Sequence, residues 1–170
     1  LSEMVGQNSD VQAQSLLDLD RLLSQRAFRQ IFDQQGRYFA AAINDPVRQE
    51  QIKKVVSDVT EVTMVVKVAE EQSRSGNSFG AWEAVEKVYT RFPEDPEVTK
   101  IRSDLSVKAS EYVSAIEKAK QHEQRKQSGS ALAWYLKARH MYPPSSFAST
   151  GIERVITAVK AESAAPNSAP

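Results

Sequence analysis

The sequence predicts an all-α protein, and three observations carry that expectation. Alanine and glutamine are abundant, with 20 and 13 of 170 residues, while aromatic residues make up 8%; this composition favours helices. Chain-breaking groups stand as punctuation, at Asn44-Asp45-Pro46, Ser75-Gly76-Asn77, Pro93-Glu94-Asp95-Pro96, Ser128-Gly129 and Pro143-Pro144. Between them the apolar residues recur every three or four positions, which puts them on one side of a helix. Five breaks imply six helices.

The first helix is expected at about 10–44, with Leu16, Leu19, Leu23, Phe28, Ile31, Phe39 and Ala42 as its stripe. Gly36 lies inside it and marks where it would divide, because Gly is roughly 1 kcal/mol worse than Ala in a helix interior. The second, about 47–75, buries Ile52, Val55, Val59, Val62, Val66 and Ala69. Its stretch Val62 to Val68 is β-branched and partly alternating, but it continues one helical stripe and has no strand to pair with, so it reads as helix. The remaining helices are expected at about 79–91, 97–127, 130–141 and 146–162, and 163–170, lacking any large apolar residue, as a disordered tail.

With 22 basic and 22 acidic residues the net charge is zero, so nothing calls for nucleic acid or an anionic membrane surface as partner. The absence of cysteine excludes disulfides, thiol nucleophiles and thiolate metal sites. The longest uncharged apolar runs, such as Tyr38 to Ile43, are far shorter than the roughly 20 residues of a membrane span. The chain opens on Leu1 without a basic and apolar leader, which leaves a cytoplasmic location and an exported or tethered one both open.

Shifting the sequence by 50 residues aligns Ala69 with Ala119, Ala81 with Ala131, Val88 with Ala138, and Phe92-Pro93 with Tyr142-Pro143. In each copy a small residue is followed twelve positions later by Ala and twelve later again by Pro. Two small residues let antiparallel helices approach closely, and the proline ends the second helix. No third copy is expected to end at Pro46.

This spacing resembles the tetratricopeptide repeat (TPR), a 34-residue helical hairpin, over about 62–95 and 112–145. Tyr135 and Ala138 also match its large and small positions, whereas Val65, Ala115, Gln72 and His122 depart from the usual aromatic ones. The resemblance implies a right-handed array of antiparallel hairpins. With a period of 50, each first helix starts about 16 residues early, an overhang of roughly 24 Å at 1.5 Å per residue. The expected organisation is therefore 1–61 as a long helix and overhang forming a bundle with the fourth helix, 62–162 as two hairpin repeats, and 163–170 as tail.

No catalytic, cofactor or metal constellation emerges. His122-Glu123 is followed by Lys126, not a second His, and neither His122 nor His140 is preceded by Glu at three residues. Gly76 to Gly80 lacks the Lys and Ser/Thr of a phosphate loop. Glu70 and Glu71 point about 100° apart on a helix. Trp82 and Trp134 read as hairpin packing, and the basic run Lys118 to Lys126 as a complement to its helix dipole. The expected function is protein–protein interaction with a peptide or helix, without cofactor and without enzymatic activity; the alternative is a structural or oligomerising segment. The expected chain is a monomer or weak homodimer. By resemblance the groove would be lined by Thr63, Val66, Glu70, Ser73 and Arg74, then Val113, Ile116, Lys120, Glu123 and Gln124.

Overall fold

The computed structural model describes residues 2–165, with side chains from residue 9 onward. Among the described residues it is all helical and has no strand. Its helices are α1 (Ser2–Ser24), α2 (Phe28–Asp33), α3 (Gln35–Ala41), α4 (Pro46–Arg74), α5 (Ser78–Tyr89), α6 (Pro96–Lys108), α7 (Ser110–Gln124), α8 (Ser128–Met141) and α9 (Ser146–Ala164). Val62 to Val68 lies inside α4, as its stripe requires.

Two expected helices divide, giving nine among the described residues where six were expected. The first breaks at Arg26 and again at Gln34 (φ −116°), two residues before Gly36, which itself sits within α3. Arg26 adopts φ 54°, and the Ala27 N–H reaches back to the Leu22 carbonyl at 2.9 Å, which ends α1. The expected helix over 97–127 is interrupted at Ala109 (φ −107°, ψ 24°), although the bonds Ala109 N–H to Leu105 O and Val113 N–H to Ala109 O run through it. At the C-terminus Ser163 and Ala164, expected in the tail, belong to α9, and 166–170 lie outside the described residues.

The 50-residue repeat runs through three copies, which corrects the expectation of two. Residues Arg26, Gly76 and Lys126 all have positive φ, of 54°, 92° and 59°. Each turn is closed by the same bond, 2.9 Å long, from Ala27 to Leu22, Asn77 to Gln72 and Gln127 to His122. This pairing satisfies carbonyls that a helix end leaves free. The starts of α4, α6 and α9 are capped at a fixed position as well: Asp45 accepts from the Arg48 N–H, Asp95 from Val98 and Ser145 from Ala148, at 3.1, 3.1 and 3.0 Å. Such side-chain acceptors are strongly preferred where a helix begins. The buried positions coincide too, at Leu19, Ala69 and Ala119, at Ile31, Ala81 and Ala131, and at Tyr38, Val88 and Ala138. The first copy escapes the small-residue signature because Leu19 and Ile31 replace alanines.

Contacts divide the chain into two compact units, one of residues 1–67 with 88–100 and one of 68–87 with 101–170. In the first, Leu19 and Leu22 of α1, Ile31 of α2, Tyr38 of α3 and Ala42 close over Ile52, Val55 and Val59 of α4. Left uncovered, these three would expose a contiguous apolar strip on α4.

The second unit is organised around a carboxylate. Glu83 of α5 is 5% exposed. It accepts from the Tyr112 hydroxyl at 2.6 Å, from the Ser145 hydroxyl at 3.0 Å and from the Ser146 N–H at 2.7 Å, with the Ser146 hydroxyl completing the shell. α5, α7 and the start of α9 are thereby tied to one group. Burial alone would raise the Glu83 carboxyl, but the hydrogen bonds from Ser146, Tyr112 and Ser145 outweigh it and hold the group below the ordinary glutamate value. Around it Tyr112 stacks on Phe79 at 5.3 Å and meets Trp82 and Tyr142 edge-on at 5.9 Å each. Trp82 is buried and donates to Ser106, whereas Trp134 is half-buried under the ammonium groups of Lys118 and Lys137. At α9, Gly151 packs so closely on Tyr135 that an added Cβ would lie 2.4 Å from the ring.

Two predictions follow from this packing. Ala81→Trp and Ala131→Trp each lower stability by about 1–3 kcal/mol or more, because both sites are fully buried, whereas exposed Ala164→Trp is neutral; urea midpoints of the three variants check this. A carboxyl held low in the folded state stabilises above the ordinary glutamate value of about 4.3 and ceases to as pH falls through its folded value. Glu83→Gln therefore costs about 1–3 kcal/mol at pH 7, and its deficit relative to wild type narrows below pH 4, measured by denaturant titration at both pH values.

Candidate functional site

A cavity of about 390 Å³ opens in the first unit. It exists because the turn at Arg26 sends α2 off at the level of Val59 and Val62 of α4, while Phe92, following α5, closes the remaining side. The floor is apolar, made by Phe28, Val59, Val62 and Phe92, with Phe28 and Phe92 edge-to-face at 6.4 Å. The rim is charged, made by Arg26, Arg29, Asp33, Glu94 and Asp95.

Most of those charges are held by neighbours. Arg29 binds Asp95 through two parallel bonds, Nε to Oδ2 at 3.0 Å and Nη2 to Oδ1 at 3.2 Å, and also meets Glu97 at 3.2 Å. The pair is largely enclosed, with side-chain exposures of 17% and 8%, and a two-pronged Arg–carboxylate contact fixes geometry as well as contributing energy. Asp95 simultaneously caps α6. Arg26 meets Glu94 at 3.2 Å and donates to the Arg91 carbonyl at 2.8 Å. Among the described residues Asp33 has no hydrogen-bond or ion-pair partner, and it is exposed at the end of α2. The lining contains no Ser, Thr, Tyr, Cys, His or Lys. The recess thus presents an apolar floor within a rim of paired charges, with one unpaired carboxylate at the edge.

The ten residues expected to line a groove do not form one surface of a single unit. Thr63 and Val66 belong to the first unit and the other eight to the second. Thr63 is exposed, accepts from Arg29 at 3.4 Å and donates to the Val59 carbonyl. The three apolar anchors are unavailable: Val66 and Val113 are 9% exposed and Ile116 is fully buried. Each faces its own core, so the expectation that they meet a partner is corrected. Glu123 is committed internally, accepting from Arg154 at 2.8 and 3.1 Å and from the Tyr135 hydroxyl. The Arg154 contact, together with Tyr135, holds the Glu123 carboxyl below its ordinary value, and burial beside Glu123 pushes the Tyr135 hydroxyl up to about 12. The Lys120 ammonium lies 4.9 Å from the Phe147 ring centre and Ser73 is half-buried, which leaves Glu70, Arg74 and Gln124 exposed.

Phe28 and Phe92 were visible in the sequence only as members of a stripe and of a turn. Nothing in their spacing signals that they face one another across 64 residues. Of the two histidines, His122 is half-buried in the last turn of α7, its Nδ1 paired with the Gln127 side-chain oxygen, and His140 is exposed in the last turn of α8. No group of three or more metal-ligating side chains occurs among the described residues, and no helix there is long and apolar enough to cross a membrane.

Comparison of the chain with protein-family models, with curated proteins and with solved structures gives no match.

Glu123→Ala is expected to lower stability by about 1–3 kcal/mol, because Tyr135 and Arg154 lose their common acceptor. Glu70→Ala and Gln124→Ala, at exposed sites, stay within about 0.5 kcal/mol. Thermal melts of the three variants separate the internal role of Glu123 from a surface one.

Proposed function

We propose that the chain is a protein-interaction module, built of TPR-like helical hairpins, that binds a peptide or helix of a partner protein without cofactor or catalysis. The observation that supports this reading is the cavity of the first unit. Four apolar side chains form its floor, paired charges hold its rim, and its lining carries neither a hydroxyl nucleophile nor a histidine base. Such a recess suits one apolar anchor of a peptide, with rim charges fixing register more than affinity. The contact is assigned to this cavity in place of the groove, whose apolar positions are consumed by the core.

Selection of a random twelve-residue peptide library on the full chain tests the reading. Peptides that enrich should shift the NMR signals of Phe28, Val59 and Val62. Phe28→Ala is expected to weaken them at least fivefold, since anchor contacts dominate small interfaces. Reversal of Glu70 and Lys120 together leaves binding within about twofold and stability within about 0.5 kcal/mol, as does reversal of exposed Glu153 and Lys160. Failure of any peptide to bind, with light scattering showing a concentration-dependent oligomer, would instead establish the structural segment.

A further inference from the structure

The cavity has an internal counterpart. Adding 50 to its lining residues turns Asp33 into Glu83, Val62 into Tyr112, Phe92 into Tyr142, and Asp95-Pro96 into Ser145-Ser146. These are the residues of the buried network in the second unit. There the space is filled. Tyr112 is fully buried, its ring against Phe79, Trp82 and Tyr142, and its hydroxyl donates to Glu83 at 2.6 Å.

The first unit has kept the acceptor and lost every donor. Val62, where the other copy has Tyr112, supplies neither a ring nor a hydroxyl. Asp95 cannot donate as Ser145 does, and its carboxylate is already engaged by Arg29 and by the start of α6. Pro96 has no N–H to match that of Ser146. What remains is a recess of about 390 Å³, with room for an aromatic side chain, and an unpartnered carboxylate at its edge.

Resting on the peptide-binding reading above, we infer that this cavity receives a tyrosine side chain of the partner, its ring on Phe28, Val59, Val62 and Phe92 and its hydroxyl donating to Asp33. The occupant thus supplies from outside what Tyr112 supplies within the second unit. A phenylalanine would satisfy the floor but leave Asp33 unanswered. A lysine or arginine would answer Asp33 but bring a third cation beside Arg26 and Arg29. An unmodified phenol brings both a ring for the apolar floor and a donor for Asp33.

The test uses the full chain with labelled valine methyl groups and two probes that differ by one hydroxyl, p-cresol and toluene. Saturable shifts at Val59 and Val62 are expected from both, with p-cresol roughly fivefold or more the tighter, as one hydrogen bond to a charged acceptor allows. Asp33→Ala, at an exposed position, should erase that preference. Val62→Tyr should refill the recess from within and block both probes. Equal binding of the two probes, or a preference that survives Asp33→Ala, overturns the tyrosine assignment. The pentapeptides acetyl-Gly-Ala-Tyr-Ala-Gly-amide and its Phe counterpart extend the comparison to chain-borne side chains, with the same order expected. Library peptides that shift Phe28 yet contain no tyrosine would refute this inference while the peptide-binding reading stood; absence of any binding peptide would refute both.

Discussion

Three turns in this protein depend on one backbone event, a single residue in the left-handed conformation two positions beyond the end of α1, α4 and α7. At Arg26, Gly76 and Lys126 that residue turns the chain and lets the following N–H close the helix end. Glycine does this without steric cost, whereas arginine and lysine enter the region at an expense of about 1–2 kcal/mol. Two of the three turns are therefore held by what surrounds them. For Arg26 the surroundings are visible: its guanidinium spans Glu94 and the Arg91 carbonyl and lies over the Phe28 ring at 5.2 Å. The side chain that tolerates the turn badly is the one that fastens it.

Once the turns and caps are fixed, the positions between them can vary in size so long as each pair remains complementary. The first copy fills its close-packed positions with Leu19 and Ile31, where the later copies use alanines and place their bulk elsewhere, in Trp82, Tyr112 and Tyr135. The contrast extends to polar groups. Glu83 is buried because five donors in four positions of the second unit converge on it or beside it, and removing any of them would leave a buried charge short of partners. Asp33, at the same repeat position, stays at the surface because the first unit has no such donors.

Much of this fold was legible in the sequence where chemistry is local. Proline and asparagine bracketed α4 and α5 to within a residue or two, and the β-branched run at Val62 was correctly read from its continuous stripe. The turn at Arg26 was not legible, since nothing about arginine favours positive φ and the neighbouring Gly36 offers a more obvious break. The third copy was hidden for a related reason, that leucine and isoleucine had replaced the alanines which announce close helix contact. The cavity was illegible in a stricter sense. It arises from what Val62 lacks relative to Tyr112, and a lack becomes visible only after the register has placed the two residues together. Glu83 likewise gave no sign, because its partners lie 29 and 62 residues away.

The placement of the tryptophans has an optical consequence. The chain has two, Trp82 and Trp134, and both lie in the second unit, one enclosed by aromatic rings and the other under two ammonium groups. The first unit is rich in phenylalanine and dark at the excitation wavelength that selects indole. Emission therefore reports on one half of the molecule, while far-ultraviolet dichroism reports on all its helices. Superimposable transitions by the two signals would mean that the halves melt as one cooperative body, and displaced ones that the indoles watch a partial event.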